Sequence, residues 1–195
     1  VPKLWSRTVE AHRREVREAI MDSAWELALK HGPASTTMSE IAERAGIGRA
    51  TLYKYFPDVQ SILATWHERQ IQRHLEHLTS VRENTKDPSK RLHAVMEAYA
   101  QIHKRRAENQ RSHMYGAEVA TLMQTNERVA ESQQQLHHLL RDVIAEAAEA
   151  GAVRADVNPD ELAYYCLFAL TAANTVRSAA AMRRLIAVTL QGMKP

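Results

Sequence analysis

The chain has little that would restrain it chemically: one cysteine, Cys166, in 195 residues, so an internal disulfide framework is ruled out and a reducing cytosol is the fitting compartment. With Tyr164, Tyr165, Leu167 and Phe168 around it, Cys166 reads as a small packed side chain rather than a nucleophile. Gly and Pro occur only six times each, while Ala, Leu, Glu, Arg and Gln recur throughout. So few breakers among so many helix formers predict an all-α fold. The N-terminal Val1-Pro2-Lys3-Leu4-Trp5-Ser6-Arg7 lacks the apolar run of a signal peptide. The longest weakly charged stretch, 162–176, falls short of the ~18 residues of a membrane span and is bracketed by Asp160-Glu161 and Arg177. A soluble, cytoplasmic protein with no membrane partner is expected. Also missing are a nucleophile elbow, a phosphate-binding P-loop, a dinucleotide glycine fingerprint and an H-E-x-x-H pair. Neither catalytic residues nor a cofactor is therefore expected.

What is present is a 45% hydrophobic composition, enough to bury a sizeable core, and a modest net charge of +3. Its distribution says more. Before residue 18, Lys3, Arg7, Arg13, Arg14 and Arg17 face only Glu10 and Glu15, a basic excess suited to an arm touching phosphates.

Apolar residues at spacings of three and four mark about nine helices. Val16, Ile20, Ala24, Leu27 and Ala28 form one face of a first helix over 9–31, ended by Gly32-Pro33. Thr37-Met38-Ser39-Glu40 has the form of a capping box and should open a second, closed two turns later by Gly46 as a left-handed cap. A third covers 48–56 and stops at Pro57; Asp58 caps a fourth, 58–84. A fifth follows Lys86-Asp87-Pro88-Ser89, with Lys104 to Arg111 read as a polar link. Met114, Tyr115, Val119, Leu122 and Met123 define a sixth, and Leu136, Leu139, Leu140, Val143, Ile144 and Ala147 a seventh ending at Gly151. The eighth opens at Asn158-Pro159-Asp160-Glu161, and the last spans about 179–191.

Two short helices around a glycine turn meet the requirement of a helix-turn-helix, in which the first helix braces the second so that its outer face enters the major groove. Ile41, Ala42, Ala45, Ile47, Leu52 and Phe56 form its internal core. Arg49, Thr51, Tyr53, Lys54 and Tyr55 are left as the main DNA surface, with Gly48 at the helix start and Thr37 and the basic arm adding phosphate contacts. These residues resemble the TetR family of repressors from Arg17 to about Trp66. The resemblance rests on Ile20 through Ala24, Gly32, Thr37-Met38-Ser39-Glu40-Ile41-Ala42, Ala45-Gly46-Ile47, Leu52-Tyr53 and Phe56-Pro57. The chain departs from that pattern at Gly48, commonly a serine, at Ala50, frequently a glycine, at Tyr55, frequently a histidine, and at Val59, often a lysine.

The resemblance implies an N-terminal three-helix DNA-binding domain, 1–57, and a C-terminal helical ligand-binding and dimerisation domain, 58–195. It also implies a repressor released from palindromic double-stranded operator DNA by a small-molecule effector, the fourth helix transmitting the change. Met96, Tyr99, His103, Met114, Tyr115, Met123 and Leu140 mix apolar bulk with polar tips and are the candidate pocket lining. The eighth helix, apolar nearly all round, carries more apolar surface than one subunit can cover, so Tyr164, Phe168 and Leu185 are assigned to a homodimer interface. His74 and His77 share a helical face but lack a third ligand nearby in sequence, so no metal site is assigned. Two rival readings stay open: a helical small-molecule-binding protein that no longer binds operator DNA, and a metal-responsive regulator using these histidines.

Overall fold

The computed structural model describes residues 2–112 and 127–195, and among these all regular structure is helical. The elements are α1 (Pro2–His31), α2 (Met38–Arg44), α3 (Arg49–Tyr55), α4 (Val59–Asn84), α5 (Pro88–Ser112), α6 (Glu127–Glu149), α7 (Pro159–Thr171), a 3₁₀ turn (Ala172–Asn174) and α8 (Ala179–Gln191). Two expected boundaries move. The first helix starts at Pro2 rather than near residue 9, and the supposed polar link at 104–111 is the last part of α5. The link contains neither Gly nor Pro, and Lys104 and Glu108 pair across one turn at 3.6 Å, so its polarity marks a solvated helix face rather than a break. The sixth helix expected around Met114 to Met123 lies outside the described residues.

The helix ends follow the local signals. Asp58 Oδ1 accepts from the Ser61 N–H at 2.7 Å at the start of α4, and Asp87 Oδ1 from the Lys90 N–H at 2.8 Å at the start of α5. Asn158 Oδ1 accepts from the Asp160 N–H at 3.0 Å, with Pro159 at the first turn of α7. Gly46 (φ 68°) and Gly151 (φ 70°) supply the left-handed residues after α2 and α6.

The chain divides into two compact units, one holding Val1–Gln70 and the other Ile71–Asn109 with Glu127–Pro195. The first is organised by Ile20, Met21, Ala24, Leu27 and Ala28 of α1, Ile41 and Ala42 of α2, Leu52 of α3, and Ile62 and Leu63 of α4. Each such Leu or Ile removed from water contributes about 1.5–3 kcal/mol. The Trp25 and Trp66 rings stack at 3.6 Å. Asp22 accepts from the Trp66 indole N–H at 3.1 Å and from Arg69 at 2.5 Å, which fixes the start of α4 against α1.

The second unit buries Leu92, Val95, Met96 and Tyr99 of α5 against Leu140, Val143, Ile144 and Ala147 of α6, with Leu162, Ala163, Cys166 and Leu170 of α7 and Met182 and Ile186 of α8. Cys166 is the packed side chain expected. Burial pushes its thiol up to about 12, and the thiol lies 3.2 Å from the Met193 sulfur. Ions close the α4–α5 corner: Glu146 accepts from Arg82 at 2.5 Å and also pairs with Arg91, whose guanidinium donates to the Thr85 carbonyl at 2.7 Å. Burial opposes ionisation of Glu146, but the two arginines outweigh it and hold its carboxyl below the ordinary 4.5. Among the described residues no helix is long and apolar enough to cross a membrane.

Candidate nucleic-acid interface

The helix-turn-helix is built from short-range bonds. At the start of α2 the Thr37 hydroxyl accepts from the Glu40 N–H at 3.3 Å and donates to the Glu40 carboxylate at 2.7 Å. The Thr37 N–H donates to the same oxygen at 2.9 Å. This is the capping box read from the sequence. The bond from the Thr37 side chain, then that from its backbone, lowers the Glu40 pKa. Because the Thr37 hydroxyl proton is engaged by Glu40, a phosphate approaching it must compete for that proton. At the other end the Ile47 N–H reaches back to the Ala42 carbonyl at 3.0 Å and the Gly46 N–H to the Glu43 carbonyl at 3.1 Å, and the chain turns directly into α3.

Gly48 caps α3 in an extended conformation with no side-chain bond. Leu52 is fully buried, and Tyr55 and Ile47 pack against the same core, which decides how α3 is turned. Arg49, Tyr53 and Lys54 are exposed, Tyr53 by 51%, whereas Thr51 and Tyr55 are half-buried at the flanks. Ala50, absent from the sequence-based list, is exposed as well. Counting helical phase outward from Leu52 would have found it.

Charge separates this face from its surroundings. Among the described residues neither Arg49 nor Lys54 has a carboxylate within ion-pairing distance, whereas nearby Arg44 is paired with Glu26 and Arg17 lies 4.6 Å over the Phe56 ring. Val59 is half-buried against the core of this unit, so its side chain supports packing at the start of α4. Unpaired cations and phenol groups on an exposed helix that a second helix braces can reach phosphates and base edges.

The other sequence-derived sites lie in the second unit. Met96, Tyr99 and Leu140 share its buried core, and the half-buried His103 ring meets Tyr99 edge-on at 4.5 Å. Met114, Tyr115 and Met123 lie outside the described residues. Tyr164 and Phe168 stand out of α7, 53% and 72% exposed, while Leu185 is half-buried against the core. Tyr165 of α7 and Val188 of α8, which the sequence reading left out of the interface, are exposed as well. The α7 signal was the spacing 161, 164, 165, 168, one helical face; Val188, in the run Leu185-Ile186-Ala187-Val188-Thr189-Leu190, had nothing in the sequence to separate it from the core residues around it. Among the described residues no group of three His, Cys, Asp or Glu side chains gathers as a metal site, so His74 and His77 gain no third ligand there.

Comparison with known proteins gives a consistent assignment. A family model described as bacterial regulatory proteins, tetR family, matches residues 20–64, and one described as the C-terminal domain of SbtR-like transcriptional regulators matches residues 60–195. An uncharacterised HTH-type transcriptional regulator of Mycobacterium tuberculosis is 38% identical over 66 residues, 33% of this chain and 33% of the relative, so that match spans a third of the relative's length. Another uncharacterised regulator of the same organism is 28% identical over 167 residues, 86% of this chain and 83% of the relative. Among solved structures, a TetR/AcrR-family regulator from Thermobifida fusca superposes with a TM-score of 0.74 at 19% identity, covering 92% of this chain and 98% of the other. AibR in complex with isovaleryl coenzyme A and operator DNA does so with a TM-score of 0.62, at 19% identity and the same coverage.

Proposed function

Because the chain belongs to the TetR family of bacterial regulatory proteins, we propose that it is a homodimeric repressor held on a palindromic operator until a small molecule releases it. It acts on DNA in the cytoplasm and catalyses nothing. The observation that carries the DNA-binding reading is the exposed face of α3, where Arg49, Tyr53 and Lys54 stand in solvent and both cations lack a carboxylate partner among the described residues. Residues 1–57 form the reader, with Gly48 at the start of the reading helix, Thr51 and Tyr55 flanking the contact, and Thr37 and the basic arm reaching phosphates. Residues 58–195 supply dimerisation and sensing.

Two such readers on a two-fold axis require half-sites one helical turn apart, or a multiple of it. The exposed aromatic face of α7, continued by Val188 of α8, is the surface on which the second copy docks, giving a four-helix bundle. The apolar surroundings of Met96, Tyr99 and Leu140 favour an organic effector with apolar bulk. AibR, similar in fold, binds both an acyl-coenzyme A and operator DNA. The α4 helix contributes Ile62 and Leu63 to the core of the first unit and Leu78 to that of the second, so it is the covalent route between reader and sensor. A tenfold to hundredfold release of operator requires a coupling of about 1.4–2.7 kcal/mol between the two sites.

Selection of bound sequences from random double-stranded DNA with the full chain tests this reading. The expected outcome is an inverted repeat whose affinity falls steeply with salt. Failure to enrich any sequence at low salt would refute it.

A further inference from the structure

The phase of α3 puts a methyl group beside a lysine at the middle of the exposed face. Leu52 points directly into the core, and at about 100° per residue the direction straight outward falls between Ala50 and Lys54, each roughly 20° from it. Arg49 and Tyr53 lie on one side of that line and are exposed; Thr51 and Tyr55 lie on the other and are half-buried. Ala50 is therefore the single short side chain among long ones on the outward face. Long, flexible side chains can lie along the groove walls, so the helix axis can come closest to the base edges at Ala50.

A lone methyl group can neither donate nor accept a hydrogen bond. In the major groove the matching surface is the C5-methyl of thymine, the one apolar group among the standard base edges. Residues in the N-terminal part of a recognition helix are those that meet base edges, and Ala50 is the second residue of α3. We infer that Ala50 is a specificity-determining residue that reads a thymine C5-methyl in each half-site, apolar readout set between the polar contacts of Arg49 and Lys54. This rests on the DNA-binding reading above and adds to it the identity of one base.

The experiment uses the full-length protein and the operator it selects, with each thymine replaced in turn by deoxyuridine, which lacks only the methyl. One symmetry-related thymine pair should be sensitive, losing about fourfold in affinity per half-site and about sixteenfold when both are replaced, from the transfer value of one buried carbon. In Ala50→Gly that sensitivity should vanish, the variant binding thymine and deoxyuridine operators equally. In Thr51→Ser, which lacks the other methyl group available on α3, the sensitivity should persist. An operator with no methyl-sensitive thymine in wild type, or sensitivity that survives Ala50→Gly and disappears in Thr51→Ser, overturns the inference while leaving DNA binding standing. Wild-type protein that selects no DNA overturns both. The wild-type deoxyuridine series does not depend on the variants folding.

Discussion

Cationic side chains do opposite work at two places in the molecule, the Glu146 corner of the second unit and the exposed face of α3 in the first. In the second unit, Arg82 and Arg91 converge on Glu146 with the Thr85 carbonyl filling out the guanidinium of Arg91, so their charge closes a corner between helices. On α3, Arg49 and Lys54 are left in solvent with no carboxylate in reach among the described residues. Apolar side chains divide in the same way. Leu162, Ala163, Cys166 and Leu170 of α7 are buried in the core, while Tyr164, Tyr165 and Phe168 of the same helix are turned outward. Side chains whose partners lie within the fold stabilise it; those left over indicate the chemistry of a missing partner. Around α3 that chemistry is anionic and polar, and along α7 it is apolar.

The sharpest way to break this contrast is to put a charge on the apolar face. Phe168→Glu should leave the helical content intact, because the residue is 72% exposed and contributes little to its own core. It should dissociate the proposed dimer, since burying each Phe is worth about 1.5–3 kcal/mol and a two-fold axis would count it twice. Light scattering at micromolar concentration should report monomers, and operator affinity should fall at least about a hundredfold. A wild type that is already a folded monomer at that concentration would leave the aromatic face without its proposed partner.

Next in size are the free cations. Arg49→Ala should relax selectivity at one base position by about 1–3 kcal/mol if it meets a base edge, whereas Lys54→Ala should weaken binding evenly across sequences and flatten the salt dependence by about one unit. Stability should barely change in either, as measured by urea unfolding, because both side chains are exposed and neither has an ion-pair partner among the described residues. If both variants bind operator as the wild type does, the unpaired charges on α3 have no role in recognition.

The used cations predict the reverse pattern. Glu146→Gln should leave operator readout alone and lower stability by about 1–2 kcal/mol, a value discounted because the Glu146 side chain is 31% exposed. Its pH dependence has a definite sign. The folded-state carboxyl titrates below its ordinary 4.5, so the wild-type advantage is complete above about pH 4.5, shrinks as pH falls through the lowered value and is gone below it. Unfolding midpoints of the two proteins should therefore converge in acid; parallel curves from pH 7 to pH 3 would show that Glu146 is not held ionised by its arginines.

How much of this was readable in advance depended on range along the chain. The capping box at Thr37 and Glu40, the turn at Gly46, the stop at Pro57 and the caps at Asp58 and Asn158 each act over four residues or fewer, and all appear where the sequence puts them. The extent of α5 was misread because charge was taken for a break, although no residue in 104–111 opposes a helix. Glu146 meets Arg82 and Arg91 from 64 and 55 residues away, and no local pattern announces that meeting. At the candidate interface the residue types of α3 and the burial of Leu52 were both legible, and the helical phase counted from Leu52 already turns Ala50 outward and sets Thr51 and Tyr55 at the flanks, as the structure has them.

The smallest expected effect bears on α3, whose start lacks a side-chain cap although a cap would fit. Gly48 precedes α3 with φ −71° and ψ 147°, angles open to any L residue, and makes no side-chain bond. A Cβ added there would meet only the Thr51 hydroxyl oxygen, at an ordinary 3.9 Å. Serine should therefore enter without displacing anything, and its hydroxyl can accept from an amide of the first turn, where the Thr51 and Leu52 N–H groups already reach the Gly48 carbonyl. Relative to glycine, such a cap is worth only a few tenths of a kcal/mol, and in a chain of this length that shifts a thermal midpoint by about 1 °C. The added hydroxyl lies at the edge of the proposed DNA face, so Gly48→Ser should also tighten operator binding by a similarly small factor without altering the preferred sequence. Differential scanning fluorimetry alongside the binding titration checks both. A fall in stability instead of a rise would mean that the chain enters α3 with a backbone that serine cannot share, and the approach of this helix to the groove would have to be redrawn from that turn onward.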